Sequence, residues 1–336
     1  MDGLGRIERN RFVIFGRAGM DFSADPPGMP TEDAECFRAS LGGSSANIGA
    51  AITRQGGSVS LVTCVSDDAV GRFCLNQLGR YGIDSTYVRT VGGETRTSLA
   101  VTESRLENHQ TVIYRNGAAD FQMSEADVEA VDYSAFGALV TTGTVFAAEP
   151  SRSAAFRGMA LARSAGLPIV FDIDYRPYSW SSDLEASKVY DRVGSLCDII
   201  VGNDDEFGFM AGDKEQGLAK ARSLAASTVS IVVYKMGENG AVAISRDAEF
   251  RTGIYPVDAL KPTGAGDAFL GNLLACLAAG ESLQDAVVKG SAAAAIVVSK
   301  VGCAPAMPDA NGLEAFMASH PNPNIIRGKD HAYRPL

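Results

Sequence analysis

Short apolar runs alternate along the chain with segments whose apolar residues recur at helical spacing. Such runs are typical of strands buried on both faces of a parallel sheet. The apolar runs cover residues 11–15, 58–65, 138–142, 168–172, 198–201 and 230–235. The helical patterns cover residues 45–55, 69–81, 151–164, 184–194, 215–226, 264–279 and 283–298. This alternation predicts a doubly wound α/β fold with a mostly parallel sheet.

Two segments depart from this rhythm. Residues 17–40 contain the turn-forming run ADPPGMP, and residues 92–120 contain TSLAVTES and QTVIYRN, which alternate as strands with one exposed face do. We expect these segments to pair into a small β sheet that forms a lid. The sequence therefore predicts a single domain over residues 1–336. Residues 17–40 and 92–120 form the lid, the other residues form the core, and the tail from Pro321 is expected to be poorly ordered.

Composition narrows the classes of partner. The formal net charge is −10 and no long run of Lys or Arg occurs, which argues against nucleic acid and anionic membranes as partners. The six cysteines form no C-x-x-C pair, and the first ten residues contain no apolar run of signal-peptide length. We therefore expect reduced thiols and a cytoplasmic protein. With three histidines in all, a histidine-based triad or metal site is not expected.

The segment PTGAGDAF, residues 262–269, is the most informative for chemistry. Its glycines precede a helical pattern, so free backbone N–H groups and the positive end of the helix dipole meet and form an anion hole. Asp267 in the first turn favours the helix by itself, which is the purely structural interpretation. A carboxylate beside an anion hole also suits phosphoryl transfer to a hydroxyl. The carboxylate takes the proton while the N–H groups stabilise charge on the phosphoryl group.

A second glycine-containing helix entrance is LGGSSAN, residues 41–47. Gly42 and Gly43 would let a ligand approach the backbone, and Asn47 offers a donor and an acceptor to a polyol. An ordinary helix start capped by Ser44 or Ser45 explains the same pattern. The sequence leaves both interpretations open.

Three motifs follow one another along the chain: G-G-x-x-x-N at 42–47, N-x-x-E at 203–206 and G-A-G-D at 264–267. In this order they resemble the PfkB/ribokinase family of carbohydrate kinases, and the likeness extends over residues 11–310. The resemblance implies a ribokinase-like fold and an enzyme that uses ATP and Mg²⁺ to phosphorylate a small sugar.

The resemblance also implies a role for each matching residue. Asp267 would be the catalytic base, beside an anion hole formed by the backbone of Gly264, Ala265 and Gly266. Glu206 would hold Mg²⁺ through water. The nucleotide side would include Asn203, Lys235 and Gly237. The acceptor would be bound by Asp21, Gly42, Gly43 and Asn47.

Three further segments resemble a narrower group in that family, kinases of a keto-deoxy sugar acid in inositol catabolism. They are GRAGMD with ADPPG, YRNGAAD at 114–120 and DIDYRP at 172–177. Each contains an arginine (Arg17, Arg115 or Arg176), and arginine binds a carboxylate through paired N–H donors. We therefore predict a sugar-acid acceptor. The alternative is that each arginine pairs with a neighbouring aspartate, such as Asp120, Asp172 or Asp174.

The sequence departs from the family just before the anion hole. Many relatives have an acidic residue there that helps to bind a monovalent cation, whereas this chain has Lys261. A fixed ammonium would repel K⁺. We predict that Lys261 replaces the ion on the nucleotide side of the site and positions the loop that leads to Gly264. The alternative is a side chain that points into solvent.

Other functions stay open on the sequence. Within the kinases, the acceptor could instead be 2-keto-3-deoxygluconate, fructose or ribose. A dinucleotide-binding oxidoreductase is disfavoured because no G-x-G-x-x-G follows the first strand. A non-catalytic sugar sensor is disfavoured by the intact Gly266 and Asp267. The oligomeric state is also open, with a homodimer among the alternatives.

Overall fold

The computed structural model describes residues 7–328. Its strands are β1 (Arg11–Phe15), β2 (Gly19–Asp25), β3 (Cys36–Gly42), β4 (Ser58–Ser66), β5 (Ile83–Asp84), β6 (Val88–Val91), β7 (Leu99–Thr102), β8 (Thr111–Tyr114), β9 (Ala138–Thr142), β10 (Ile169–Asp172), β11 (Ile199–Asn203), β12 (Ile231–Lys235), β13 (Ala241–Ser245), β14 (Glu249–Thr252) and β15 (Ile325–Arg327). Its α-helices are α1 (Ser44–Arg54), α2 (Ala69–Arg80), α3 (Glu125–Glu129), α4 (Ser151–Ser164), α5 (Asp183–Gly194), α6 (Asp204–Ala211), α7 (Gly217–Ala225), α8 (Ala265–Ala278), α9 (Leu283–Val298) and α10 (Ala310–Ser319).

The main sheet has the strand order β15-β14-β13-β12-β11-β10-β9-β1-β4-β5, and β6 pairs with the end of β4. The strands from β12 to β5 are parallel, whereas β13, β14 and β15 are antiparallel. After β1, the chain adds β4 and β5 on one side of that strand. It later adds β9 and the strands that follow it on the other side. The order therefore reverses between β1 and β9, where open α/β sheets bind ligands at their carboxyl ends.

The parallel strands β1, β4, β9, β10, β11 and β12 are buried on both faces, as their continuous apolar runs predict. In β1, Phe12 and Ile14 pack into a core with α1, α8 and α9, whereas Val13 and Phe15 pack into a second core with α4, α5 and α7. Alternate side chains of a strand point to opposite faces, so one apolar run serves both layers.

The two segments that broke the pattern form a separate sheet of order β3-β2-β7-β8. The β2 strand pairs antiparallel with β3 and parallel with β7, and β7 pairs antiparallel with β8. The predicted fold class, a doubly wound mostly parallel sheet with a small additional sheet, is confirmed.

Three parts of the sequence-based expectation need correction. The strands β5, β6, β13 and β14 were not predicted, and neither were the helices α3, α6 and α10. The tail from Pro321 was expected to be poorly ordered, yet residues 325–327 pair with β14. Residues 329–336 of that tail lie outside the described residues. Within residues 7–328, no helix has the length and apolar character needed to cross a bilayer.

The small residues of the last long helices allow close packing. A Cβ atom added to Gly271 in α8 would lie 2.4 Å from the Ala51 Cβ and 2.9 Å from the Ile48 carbonyl oxygen, both in α1. A Cβ added to Gly79 in α2 would meet nothing within 4 Å. The two glycines therefore differ in packing although both lie inside helices.

We expect Gly271→Ala to destabilise the protein by roughly 1–3 kcal/mol, because the added methyl group overpacks the contact between α1 and α8. In the matched control, Gly79→Ala, alanine should stabilise α2 by about 0.5–1 kcal/mol. Urea denaturation of the three proteins measures both effects. Equal stabilisation by the two substitutions would contradict the close packing of α1 against α8.

Candidate active site

A cavity of about 830 Å³ opens at the carboxyl ends of the parallel strands, between the main sheet, the second sheet and the start of α8. Its lining includes every site residue predicted from the sequence except Gly42 and Lys261. Arg176, Asn203 and Lys235 lie at or just after the carboxyl ends of main-sheet strands, which a parallel sheet brings to one edge. Asp21 and Arg115 lie in or just after strands of the second sheet, and Asp267 lies at the start of α8.

The G-A-G-D segment forms the entrance to α8. Gly264 has a φ of 84°, and a Cβ atom there would lie 2.9 Å from the Cys303 Sγ, so a larger residue would be strained and crowded. The N–H groups of the first helical turn have no partner within the helix. The Lys235 Nζ lies beside them, 3.1 Å from where a Cβ on Gly266 would be. Backbone donors and an ammonium group thus converge on one place that suits an anion.

Asp267 lies in the first turn of α8 and lines the cavity. Burial disfavours its charged form and, with the nearby carboxylate of Asp174, raises the pKa of Asp267 to about 7. The hydrogen bond from Asn47 and the cations Arg176 and Lys235 oppose this increase. A carboxyl group with a pKa near neutrality can both accept and return a proton at physiological pH.

Asn47 contacts Asp267, a partner that the sequence analysis did not propose. Its Nδ2 donates to the Asp267 Oδ2 at 2.9 Å, across 220 positions of the chain. The Asn47 Oδ1 is buried and has no hydrogen-bond partner among the described residues, although Asn47 lines the cavity. Asn47 therefore orients the carboxylate of Asp267, and its Oδ1 is an acceptor that suits a ligand hydroxyl.

The two glycines before α1 are closely packed, and Gly43 also lines the cavity. A Cβ on Gly42 would lie 1.9 Å from the Asp21 Oδ1, and a Cβ on Gly43 would lie 2.3 Å from the Arg17 carbonyl oxygen. Gly42 thus makes room for Asp21 and not for a ligand, which corrects our explanation of that residue. The proposed cap is also wrong, since the cap residue of α1 is Gly43 and no side chain caps the helix.

Asp21 is the acidic group on the second-sheet side of the cavity. Burial raises the pKa of its carboxyl group, while the charges of Arg17 and Lys261 oppose the increase. Its Oδ1 is buried without a hydrogen-bond partner among the described residues. An unpaired buried acceptor is costly, so this oxygen is suited to receive a ligand hydroxyl.

The three predicted arginines all line the cavity, and two of them pair with aspartates. Arg115 forms a buried ion pair with Asp120 and donates to the Thr144 carbonyl oxygen at 3.0 Å. Arg176 pairs with Asp174 at 2.7 Å. The pairing that we considered as an alternative is therefore present. The Arg115 Nη1 nevertheless has no partner among residues 7–328, and the Arg17 Nη1 donates to the Ser98 hydroxyl at 3.3 Å.

Asn203 and Glu206 form a capping box at the start of α6. The Asn203 Oδ1 accepts from the Glu206 N–H, and the Glu206 Oε2 accepts from the Asn203 N–H, each at 2.8 Å. The Glu206 Oε1 accepts from the Tyr175 N–H at 3.3 Å. Each carboxylate oxygen can accept a further hydrogen bond. Within residues 7–328, no cluster of three or more His, Cys, Asp or Glu side chains is arranged to hold a metal directly. The residues fit a Mg²⁺ ion bound through water.

Lys261 is a buried cation behind the anion hole. Its side chain is 1% exposed, and its Nζ donates to the Thr263 carbonyl oxygen at 2.5 Å. Burial lowers the pKa of Lys261, whereas Cys303, Asp267 and Asp21 oppose the decrease. The alternative in which Lys261 points into solvent is therefore wrong. Its ammonium group instead holds the backbone that leads to Gly264.

Asp174 is the main residue of the site that the sequence analysis did not assign. It was considered there only as a partner for an arginine. Its carboxylate also accepts from the Ser44 hydroxyl at 2.6 Å, and its backbone has a φ of 36°. The signal in the sequence was its position two residues after a buried strand, beside Arg176.

The chain matches the pattern of the pfkB family carbohydrate kinases over residues 9–310. It is 38% identical over 311 residues to the 5-dehydro-2-deoxygluconokinase of Photobacterium profundum, covering 91% of this chain and 94% of that protein. It is 33% identical over 321 residues to the 5-dehydro-2-deoxygluconokinase of Geobacillus kaustophilus, covering 94% of this chain and 96% of that protein.

Solved structures share the fold. A fructokinase double mutant of Vibrio cholerae, with bound fructose, ADP and potassium ion, has a TM-score of 0.82 at 24% identity and covers 93% of this chain and 99% of that chain. A PfkB protein from Polaromonas has a TM-score of 0.75 at 26% identity and covers 88% of this chain and 98% of that chain.

Proposed function

The chain belongs to the pfkB family of carbohydrate kinases, and we propose that it transfers the γ-phosphoryl group of ATP to a hydroxyl of 5-dehydro-2-deoxygluconate. The observation that carries the chemistry is the carboxylate of Asp267, which lies at the start of α8 with its pKa raised to about 7. The acceptor is supported by relatives of that name and by Arg17 and Arg115, which line the same cavity.

In the proposed reaction, Asp267 accepts the proton of the attacking hydroxyl. The hydroxyl oxygen forms a bond to the γ-phosphorus, the bond between that phosphorus and the bridging oxygen breaks, and its electron pair leaves with ADP. The N–H groups of Ala265 and Gly266 face the charge on the moving phosphoryl group. Asn47 holds the Asp267 carboxylate in one orientation through its 2.9 Å hydrogen bond.

The nucleotide would lie on the side of Asn203, Glu206, Lys235 and Gly237, which line the cavity together. The Lys235 ammonium group, next to Gly266, would neutralise phosphate charge. Glu206 would orient water molecules around a metal ion. When bound, Mg²⁺ neutralises charge on the phosphate oxygens.

The acceptor would lie on the side of the second sheet. The Asp21 Oδ1 and the Asn47 Oδ1 have no hydrogen-bond partner within residues 7–328 and are suited to accept from its hydroxyls. Arg17 and the Nη1 of Arg115 would donate to its carboxylate. Because strands of residues 17–40 and 92–120 carry several of these groups, we infer that these segments act as a lid over the acceptor. We also propose that the enzyme works in the cytoplasm, where its free cysteines stay reduced.

Asp267→Asn should keep the fold and ATP binding but lower kcat by roughly 10²–10⁴-fold, because the general base is lost. Since the base must be deprotonated, kcat/KM of the wild type should increase with pH and level off above a pKa of about 7. The residual activity of the variant should lack this increase. Coupled ADP-release assays from pH 5.5 to 9 measure both. Turnover within a few-fold of the wild type would show that Asp267 is not the base.

The acceptor prediction is tested by the ratio of kcat/KM for 5-dehydro-2-deoxygluconate to that for fructose or ribose. We expect a strong preference for the acid. Arg115→Met, combined with Asp120→Asn so that no buried carboxylate is left unpaired, should lower the ratio roughly 10- to 100-fold, because a charged hydrogen bond is lost. Asp120→Asn alone and Arg38→Met, at an exposed site on the same sheet, are the controls. Equal efficiency on acid and neutral sugars would contradict the proposal.

Lys261 should make added potassium unnecessary, because its buried ammonium group already holds the Thr263 carbonyl oxygen. In Tris buffer, wild-type turnover should be the same with K⁺ or with tetramethylammonium at equal ionic strength. Lys261→Ala should lose turnover and recover part of it with K⁺ only. Lys289→Ala, which removes a lysine paired with Glu281 outside the cavity, is the control. Strong stimulation of the wild type by K⁺ would refute this role for Lys261.

A further inference from the structure

Asp174 has a backbone conformation that non-glycine residues rarely adopt. With a φ of 36°, it is one of two non-glycine residues with positive φ in the described part of the chain, and the other, Asn108, lies in an exposed loop. Such conformations cost free energy and persist where the surrounding contacts fix them, commonly at functional sites. Asp174 lies just after β10, in the wall of the cavity.

Its carboxylate connects three segments. One oxygen, Oδ2, accepts from the Ser44 hydroxyl at 2.6 Å and from the Thr144 hydroxyl at 3.4 Å. The other, Oδ1, pairs with the Arg176 Nη2 at 2.7 Å. Ser44 is the first residue of α1, one turn before Asn47, which binds Asp267. Asp174 is therefore tied both to a cavity-facing arginine and to the helix that orients the proposed base.

Arg176 and Arg115 have different charged neighbours, although the sequence analysis grouped them. The carboxylates that raise the pKa of Arg176 are Asp174, Glu206 and Asp267, on the nucleotide side and at the base. Arg115 is instead locked by Asp120 and lies over the Phe121 ring, 4.1 Å from its centroid. Arg176 therefore faces Glu206 on the proposed nucleotide side and the proposed base Asp267. Arg115 is held by Asp120 and by the Thr144 carbonyl oxygen.

We propose that Asp174 is a positioning residue that directs Arg176 toward the phosphoryl group in transfer, so that Arg176 binds this group and not the carboxylate of the acceptor. This inference rests on the proposed kinase reaction and assigns the positive charge of Arg176 to the phosphoryl group. An arginine there donates paired hydrogen bonds to phosphoryl oxygens, whose charge must be stabilised while the bond to ADP breaks. The neighbouring Asp174 fixes the side chain in advance, which lowers the cost of ordering it.

The negative charge of Asp174 should also affect the pKa of Asp267, which can be measured. The charged and titratable groups around Asp267 are Asp172, Asp174, Arg176, Lys235, Lys261 and Cys303. After burial, Asp174 contributes most to the raised pKa of Asp267. Removing its negative charge should therefore lower the pKa of Asp267, and the acid limb of the pH profile should move to lower pH.

The test compares Arg176→Gln, Asp174→Asn and the double variant on 5-dehydro-2-deoxygluconate and on fructose. Asparagine tolerates positive φ and can still accept from Ser44, so the fold should persist. Arg176→Gln should lower kcat about 100-fold on both acceptors, as expected for loss of a charge-stabilising donor. The ratio of acid to neutral acceptor should stay unchanged. At pH values above the acid limb, Asp174→Asn should lower kcat by about tenfold and have no further effect once Arg176 is replaced. It should also shift the acid limb to lower pH.

Asp198→Asn is the matched control, because Asp198 is also buried and paired with an arginine, Arg163, but lies away from the cavity. It should lower the melting temperature without moving the acid limb. If fructose is not phosphorylated, ATP hydrolysis measured without an acceptor takes its place, because no acceptor carboxylate is then involved.

Loss of activity on the acid alone in Arg176→Gln, or an unmoved acid limb in Asp174→Asn, would overturn the inference. A wild-type enzyme inactive on 5-dehydro-2-deoxygluconate would instead refute the proposed acceptor, and the same comparison then uses whichever acceptor is phosphorylated.

Discussion

The site depends on the crowding of carboxylates at one edge of a parallel sheet. Asp172, Asp174, Glu206 and Asp267 all line the same cavity, and burial raises the pKa of Asp172, Glu206 and Asp267. Buried negative charges are costly unless cations or hydrogen-bond donors face them. Lys235 and Arg176 supply the cations, and the capping box at α6 supplies donors to Glu206. Among the described residues, Asp267 accepts one hydrogen bond from a side chain, that of Asn47, and its pKa stays raised although Arg176 and Lys235 face it. This incomplete compensation suits a group that must accept a proton.

The same constraint explains why distant segments must fold together before the site exists. Asn47 and Asp267 lie on α1 and α8, which pack closely where Gly271 meets Ile48 and Ala51. Helix α1 is in turn tied to the end of β10 by the hydrogen bond between Ser44 and Asp174. A small change in how the helices pack would therefore alter the orientation of the base. The close contact of α1 with α8 thus both stabilises the fold and positions Asn47 against Asp267.

The sequence predicted the parallel strands because burial on both faces leaves an unbroken apolar run, and it predicted the helix entrance at Gly264 because glycine and Asp267 mark it. It did not predict β13 and β14. Among the site residues, it proposed the nucleotide and acceptor sides and, as an alternative, the pairing of arginines with nearby aspartates, but not the contacts between distant segments. The hydrogen bond from Asn47 to Asp267 spans 220 positions, and the space that Gly42 leaves for Asp21 depends on strand register. Such contacts arise from tertiary packing, which no local pattern contains.

The central claim is that the protein environment, and not the carboxylate itself, makes Asp267 a base near neutral pH. Carbon-13 NMR of protein labelled at the aspartate side-chain carboxyl carbon, with the resonance assigned by its loss in Asp267→Asn, measures this titration without turnover. The account predicts a midpoint of about 7 for Asp267 in the ligand-free protein. A midpoint near 4, the ordinary value for a solvated aspartate, would contradict it.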